Sequence, residues 1–116
     1  MKFDPDLMRA ILLDTEEIPA GEAAHGFEYE GRSQAEIYRH AQILVDEGFI
    51  AGQYVDGNNG IPLDFHITDL TYRGHQFLAN ARNDTLWKKA LTSIRDAGKT
   101  ISIAVIEAVL VKLATD

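Results

Sequence analysis

The sequence contains no cysteine, so it can form neither disulfide bonds nor thiolate metal sites. It also lacks a long apolar run, because even a stretch such as Ile103–Ile106 is interrupted by Glu107 and is far too short to span a bilayer. The first residues lack the basic start and the apolar stretch of a signal peptide. We therefore expect a cytoplasmic protein that does not associate with a membrane.

Basic residues are scarce, and the formal net charge is −7. Residues 1–31 hold two basic and eight acidic residues (2 − 8 = −6), residues 32–70 two and six (2 − 6 = −4), and residues 71–116 seven and four (7 − 4 = +3). The acidic residues of the first two thirds of the chain repel the phosphate backbone of a nucleic acid, whereas the basic last third tolerates it. The same imbalance is also typical of a surface whose charge serves only solubility.

Helix caps and glycines divide the first half of the chain. Asp4 and Pro5 open a helix that we expect to end near Glu17. Ser33-Gln34-Ala35-Glu36 is a capping box that opens a second helix, which ends at Glu47-Gly48. Between them, Phe27-Glu28-Tyr29-Glu30 alternates aromatic and acidic residues, which predicts a short half-buried strand or a distorted turn of helix.

A β-hairpin and three further helices complete the prediction. Strands at 49–55 and 62–70 flank the turn Asp56–Gly60, and one face of the second strand is predicted to carry Leu63, Phe65, Ile67 and Asp69. Thr71 caps a third helix, and Asp84 or Thr85 starts a fourth that buries Trp87. The last helix begins near Thr100 or Ser102 and is apolar around most of its circumference, so we expect it to be buried on most sides.

The order of helix, short strand, capped helix, hairpin and helix is typical of a winged-helix domain. The segment Leu70–Leu78 resembles the leucine-threonine-x-x-glycine junction that follows the wing in many such domains. More specifically, several segments in order along the chain resemble the Domain of Unknown Function 2513 family and, more distantly, the YjcQ winged-helix proteins. These segments are Asp6–Leu13, His40–Ile50, Leu70–Leu78 with Arg82–Trp87, and Ser102–Leu113.

This resemblance implies a fold and a phage or prophage association, and it brings no established activity and no catalytic residues. We therefore predict an α+β protein with a winged-helix domain at residues 1–83 and a C-terminal two-helix extension at residues 84–116, packed on the same domain. The function that we favour is that of a DNA-binding transcriptional regulator. The alternative is an acidic protein-binding adaptor or inhibitor of a host factor that does not bind DNA.

A winged helix places its capped helix, here Ser33–Glu47, in the major groove of DNA. We expect Gln34 and Gln42 to read adenine edges and Arg39 to read guanine or hold a phosphate, with auxiliary phosphate contacts from Arg32 and Arg73. Three features weigh against base-specific binding: the acidic residues on the same helix, a hairpin tip without lysine or arginine, and a glycine-punctuated segment in place of the first helix of the helix-turn-helix pair.

A second basic surface is encoded after the hairpin. Its members are Arg73, Arg82, Lys88, Lys89, Arg95 and Lys99. These residues fit either contacts to phosphate or an acidic protein, or the solvated face opposite the apolar side of the fourth helix.

The apolar last helix predicts self-association. We expect a homodimer through Ser102–Ala114, because one helix cannot bury opposite faces against a single thin layer. The expected interface residues are Trp87, Ile103, Ile106, Val109, Leu110 and Leu113. The alternative is that this helix packs only across its own domain.

The sequence does not favour an enzyme. The four histidines are scattered, and no two of them have a recognised metal-ligand spacing. The glycines at 57 and 60 belong to a hairpin turn and not to a phosphate-binding loop that follows a strand. We therefore predict no catalytic residues, no metal, no cofactor and no small-molecule substrate.

Overall fold

Five helices and one two-stranded antiparallel sheet form in residues 1–57 and 59–115, the part of the chain that the computed structural model describes. The elements are α1 (Pro5–Glu16), α2 (Gln34–Asp46), β1 (Ile50–Val55), β2 (Asp64–Leu70), α3 (Tyr72–Ala81), α4 (Asp84–Asp96) and α5 (Ile103–Thr115). The α+β prediction is confirmed. Of the predicted turn Asp56–Gly60, Asn58 lies outside the described residues, as does Asp116 of the predicted extension.

Side-chain caps start the helices where the sequence indicates. Asp4 Oδ1 accepts a hydrogen bond from the Leu7 amide at 3.1 Å, and Ser33 Oγ accepts one from the Glu36 amide at the same distance. Asn83 caps α4, which starts at Asp84 as predicted. Each cap satisfies an amide that has no partner inside its helix, so the local sequence fixes the boundary.

The second strand begins later than predicted and contains an irregularity. Ala51 pairs with Asp69 and Gly52 with Ile67, so Thr68 is an extra residue in β2. A bulge of this kind interrupts the two-residue alternation of side chains. Asp69 is therefore exposed and Leu70 is buried, so the prediction that Asp69 lies on the buried face is wrong. Leu63 precedes the strand and is 69% exposed, so its predicted place on that face is also wrong.

The predicted strand at Phe27–Glu30 does not form. Ala24 alone bridges to β2, where its amide donates to the Ile67 carbonyl at 2.8 Å and its carbonyl accepts from the Ile67 amide at 2.9 Å. Beyond this bridge the chain leaves the sheet edge, because Tyr29 reaches α1 and donates its hydroxyl hydrogen to Asp14 at 2.6 Å. Residues 25–28 thus form an irregular connection beside α2, and a turn follows in which the Arg32 amide donates to the Tyr29 carbonyl at 3.2 Å.

Helix α1 joins the predicted domain to the predicted extension. The apolar side of α1 is buried, and the helix packs against α2, α3 and β2. On the other side, Arg9 Nε donates to the Ala81 carbonyl at the end of α3, and Arg9 Nη2 contacts Asp84 of α4, both at 2.6 Å. Trp87 Nε1 donates to Asp6 at 2.9 Å. Helices α3 and α4 are therefore held against α1, and one hydrophobic core continues across residue 83.

Candidate functional site

The exposed side of α2 presents part of the predicted base-reading set. Gln34 and Arg39 are exposed on the N-terminal half of the helix. Gln42 is only 7% exposed, so the expectation that it faces outward is wrong. Its side-chain oxygen accepts a hydrogen bond from Arg39, and Tyr54 of β1 lies beside it and donates to Asp46 at 2.7 Å. The Asp46 carboxylate raises the pKa of Tyr54. The hairpin covers the C-terminal half of α2.

The two arginines expected to hold phosphates have internal partners. Arg32 contacts the Asp4 carboxylate, and its Nη1 lies 3.9 Å from Glu36. The Glu36 side chain of the capping box is therefore directed toward an arginine. Arg73 Nη2 lies 3.0 Å from Glu107 of α5, and its guanidinium carbon lies 4.3 Å from the centre of the Phe49 ring. These carboxylates offset part of the positive charge that a phosphate would otherwise meet.

The three predicted arginines also lie in different places. Arg39 lines a groove of about 510 Å³ between the start of α2 and residues 59–61 of the hairpin tip. Arg32 lines a second groove, between α2 and the segment 25–29. Arg73 lines a third, between α3 and α5. They do not form one basic surface at the α2–hairpin end.

The second basic surface is divided in the same way. Arg82 makes a paired contact with Glu16, with nitrogen–oxygen distances of 2.9 and 2.6 Å. This hydrogen bonding lowers the pKa of Glu16 and raises the pKa of Arg82. Four further cations are exposed on or just after α4, opposite its buried side: Lys88, Lys89, Arg95 and Lys99. Their placement fits the solvated face that the helical periodicity predicts.

The groove that Arg32 lines lies beside α2, where sequence reasoning did not expect a site. It has a volume of about 610 Å³. We call it the aromatic groove, and it is lined by His25, Gly26, Phe27, Glu28, Tyr29, Arg32, Gln34, Ile37 and Tyr38. The signal that could have found it is the alternation in residues 27–30, which places two aromatic rings on one side of an extended chain.

The walls of the aromatic groove are fixed by contacts. The rings of Phe27 and Tyr29 are nearly parallel, with an angle of 13° and centres 6.5 Å apart. Burial and then the hydrogen bond to Asp14 raise the pKa of the Tyr29 hydroxyl, which stays protonated and holds the ring in place. Tyr38 packs edge-on against Phe65 with ring centres 5.0 Å apart. A Cβ atom at Gly26 would lie 2.7 Å from the Tyr38 hydroxyl oxygen, so a larger residue there would require the end of the Tyr38 side chain to shift.

The α2–hairpin end, which we define as residues 24–57 and 59–70, is strongly acidic. The sequence from 24 to 70 holds two basic and eight acidic residues (2 − 8 = −6). Both basic residues, Arg32 and Arg39, have side-chain partners in the described part of the chain. The negative potential at this end attracts cations and repels phosphates.

Within one chain, helix α5 is buried along one side only, and the expected burial of its other sides depends on the predicted partner subunit. One stripe faces α3 and α4, with Ile106 and Leu110 at 0% and 1% exposure, and Trp87 is 2% exposed in the same core. These three residues are therefore unavailable for the predicted dimer interface. Ile103, Val109 and Leu113 are half-buried, and Val111 is 55% exposed. A two-helix layer of α3 and α4 supports one face of α5, which leaves the other uncovered.

Within residues 1–57 and 59–115, no group of three metal-binding side chains comes together. His40 is buried, and its Nε2 accepts a hydrogen bond from the Asp4 amide at 2.8 Å, so it has a structural role between α1 and α2. His25 and His66 lie close, with ring centres 5.6 Å apart. None of the described helices is sufficiently long and apolar to cross a membrane.

These features define an α+β domain with an acidic α2–hairpin end. The chain belongs to the DUF2513 family, described as a hypothetical protein, whose model matches residues 2–100. It is also similar to an uncharacterized protein of Haemophilus influenzae, with 30% identity over 112 residues that cover 94% of this chain and 92% of the relative. No solved structure matches the chain. The predicted family is thus confirmed, whereas the phage association and the likeness to YjcQ proteins stay predictions.

Proposed function

We propose that this protein is a non-catalytic recognition module of winged-helix type that binds a basic protein surface at its α2–hairpin end. The order of the elements supports the winged-helix assignment, since α1, the bridge at Ala24, α2, the hairpin and α3 follow one another as in that fold. The segment 25–32 replaces the first helix of a helix-turn-helix pair, and α4 and α5 extend the domain.

The charge of the α2–hairpin end supports a protein partner. Its net charge is −6 over residues 24–70, and the two arginines that would have contacted phosphates, Arg32 and Arg73, are paired with carboxylates. Because phosphate neutralisation supplies most non-specific affinity for DNA, this surface is poorly suited to a nucleic acid. The same charge attracts a basic protein and accelerates its association. A phage or prophage origin, as the family resemblance implies, fits an adaptor or inhibitor of a host factor.

DNA binding is the second candidate, and one observation favours it. Gln34 and Arg39 are both exposed on α2, and Arg39 lines the groove between this helix and the hairpin tip. That is where a winged helix contacts base edges. An Arg39→Ala variant that weakens binding of duplex DNA, together with a steep dependence of that binding on salt, would support this candidate.

A direct comparison of ligands tests the proposal. We would measure fluorescence anisotropy of a labelled arginine- and lysine-rich peptide and, separately, of a labelled random duplex, each titrated with the full chain from low salt to about 200 mM. We expect the peptide to bind, with affinity that falls as salt rises, and the duplex not to bind. Binding of the duplex without binding of the peptide overturns the proposal.

A matched pair of variants locates the surface. The double change Glu28→Gln with Glu30→Gln removes two charges from the α2–hairpin end and should lower the affinity for the peptide several-fold. Glu17→Gln with Glu22→Gln removes the same charge from exposed positions elsewhere and should have a smaller effect. Equal effects of the two double variants would show that only the net charge matters, which contradicts a defined site.

A further inference from the structure

We propose that the aromatic groove takes an arginine side chain of the basic partner, with its guanidinium group between the rings of Phe27 and Tyr29. The inference rests on the proposed function, because it names the group that the α2–hairpin end recognises. It assigns a role to the segment 25–32, which does not join the sheet.

The spacing of the two rings fits a flat cation. Their centres are 6.5 Å apart and their planes differ by 13°, so one flat group can lie close to both rings. Attraction between a cation and an aromatic face extends to about 6 Å from the ring centre. The guanidinium is planar and stacks on aromatic faces, whereas the ammonium of lysine is a compact and strongly hydrated charge. The arrangement therefore favours arginine over lysine.

The groove is formed before the ligand arrives. Tyr29 is held by its hydrogen bond to Asp14, and both rings pack against the hydrophobic core. Gly26 allows the chain to pass close to Tyr38, which closes the groove on the α2 side. A preformed site loses little conformational entropy on binding, so a single side chain can contribute measurably to affinity.

The charges around the groove favour a cation over a nucleobase. Glu28 lines the groove, and Glu30 lies on the same segment. Three further carboxylates contact the lining residues: Asp4 and Glu36 approach Arg32, and Asp14 accepts from Tyr29. The one arginine in the lining, Arg32, leaves a local sum of 1 − 5 = −4. A nucleotide would bring its phosphate into this negative field, whereas an arginine is attracted to it.

Two peptides of equal length and charge provide the test, one with arginine and one with lysine at every basic position. We expect the full-length protein to bind the arginine peptide more tightly, and Phe27→Leu to reduce that affinity about tenfold. Tyr72→Leu is the control, because it removes an aromatic ring that is 78% exposed on α3, outside the groove. It should leave the affinity within about twofold. Ring-current shifts of the arginine δ-methylene protons should accompany binding to the wild-type protein.

The remaining outcomes separate this inference from the proposed function. Equal affinity for the two peptides, with no effect of Phe27→Leu but a loss in Glu28→Gln with Glu30→Gln, overturns the arginine site and leaves the acidic surface in place. Failure of both peptides to bind overturns both proposals. Displacement of the arginine peptide by adenosine monophosphate at low concentration would instead identify the groove as a nucleotide site and overturn the inference.

Phe27 is half-buried, so its replacement requires a check of folding. Thermal unfolding would show whether Phe27→Leu retains the cooperative transition of the wild type. If it does not, Glu28→Lys is the alternative variant, because it changes an exposed residue of the same groove. It should lower the affinity for the arginine peptide far more than Glu22→Lys does. An equal loss in these two variants would contradict the inference.

Discussion

Replacement of Gly74 by alanine tests a close contact between helix α3 and the backbone at Phe49. Gly74 lies in the first turn of α3, and a Cβ atom added there would lie 2.1 Å from the Phe49 carbonyl oxygen. Carbon–oxygen contacts begin at about 3.3 Å, so the helix or the Phe49 peptide must move by about 1.2 Å. That movement disturbs the Thr71 amide, which donates to the same oxygen at 3.0 Å, and the buried Phe49 ring.

The magnitude follows from two opposing effects. Overpacking of a buried site costs about 1–3 kcal/mol, and the greater helix propensity of alanine returns up to about 1 kcal/mol. Because the obstacle is backbone and cannot rotate away, we expect a net loss near the upper end, about 2 kcal/mol. For a domain of this size, such a loss lowers the melting temperature by about 8 °C.

Thermal and urea unfolding would measure the effect, with the fluorescence of the buried Trp87 and the far-ultraviolet circular dichroism as probes. Gln76→Ala, on the exposed side of the same helix, is the control and should change stability by less than about 0.5 kcal/mol. A Gly74→Ala variant that melts at or above the temperature of the wild type would refute the packing of α3 on the Phe49 carbonyl.

Three further predictions concern contacts between helices. Glu16→Gln should destabilise the protein by less than about 1 kcal/mol, because Arg82 is half exposed. The pKa of Glu16 is lowered in the folded state, so the stabilisation is present above the ordinary value of 4.5 and disappears as the pH falls; urea unfolding of wild type and variant should converge in acid. His40→Leu should cost about 2 kcal/mol in urea unfolding, because it leaves the Asp4 amide without its partner. For the proposed homodimer through α5, sedimentation should give twice the chain mass and Val109→Asp should halve it; a monomeric wild type would contradict the dimer.

Local signals in the sequence predicted most element boundaries. The caps Asp4, Ser33 and Thr71 start their helices where expected, since each depends on a side chain that bonds a backbone amide three residues away. The confirmed family and the α+β arrangement follow from the same ordered signals. These interactions span one turn of chain, so they can be recognised without knowledge of the fold.

Features that depend on distant partners could not be predicted in this way. The bulge at Thr68 and the covering of Gln42 by Tyr54 both depend on the pairing of the hairpin with the rest of the domain. The ion pairs of Arg32 and Arg73 join residues 28 and 34 positions apart. The strand expected at Phe27–Glu30 failed for the same reason, because the Tyr29 side chain reaches Asp14 on α1. The aromatic groove exists only once these long-range contacts have formed.

Binding of a basic protein segment at the α2–hairpin end is tested most directly by amide chemical-shift mapping. The ¹⁵N-labelled full chain would be titrated with the arginine peptide and, in a separate sample, with duplex DNA. We predict peptide-induced shifts concentrated in residues 25–38 and no comparable response to the duplex. Shifts caused by the duplex at Gln34, Arg39 and the described residues of the hairpin tip, with no response to the peptide, would contradict the proposed function.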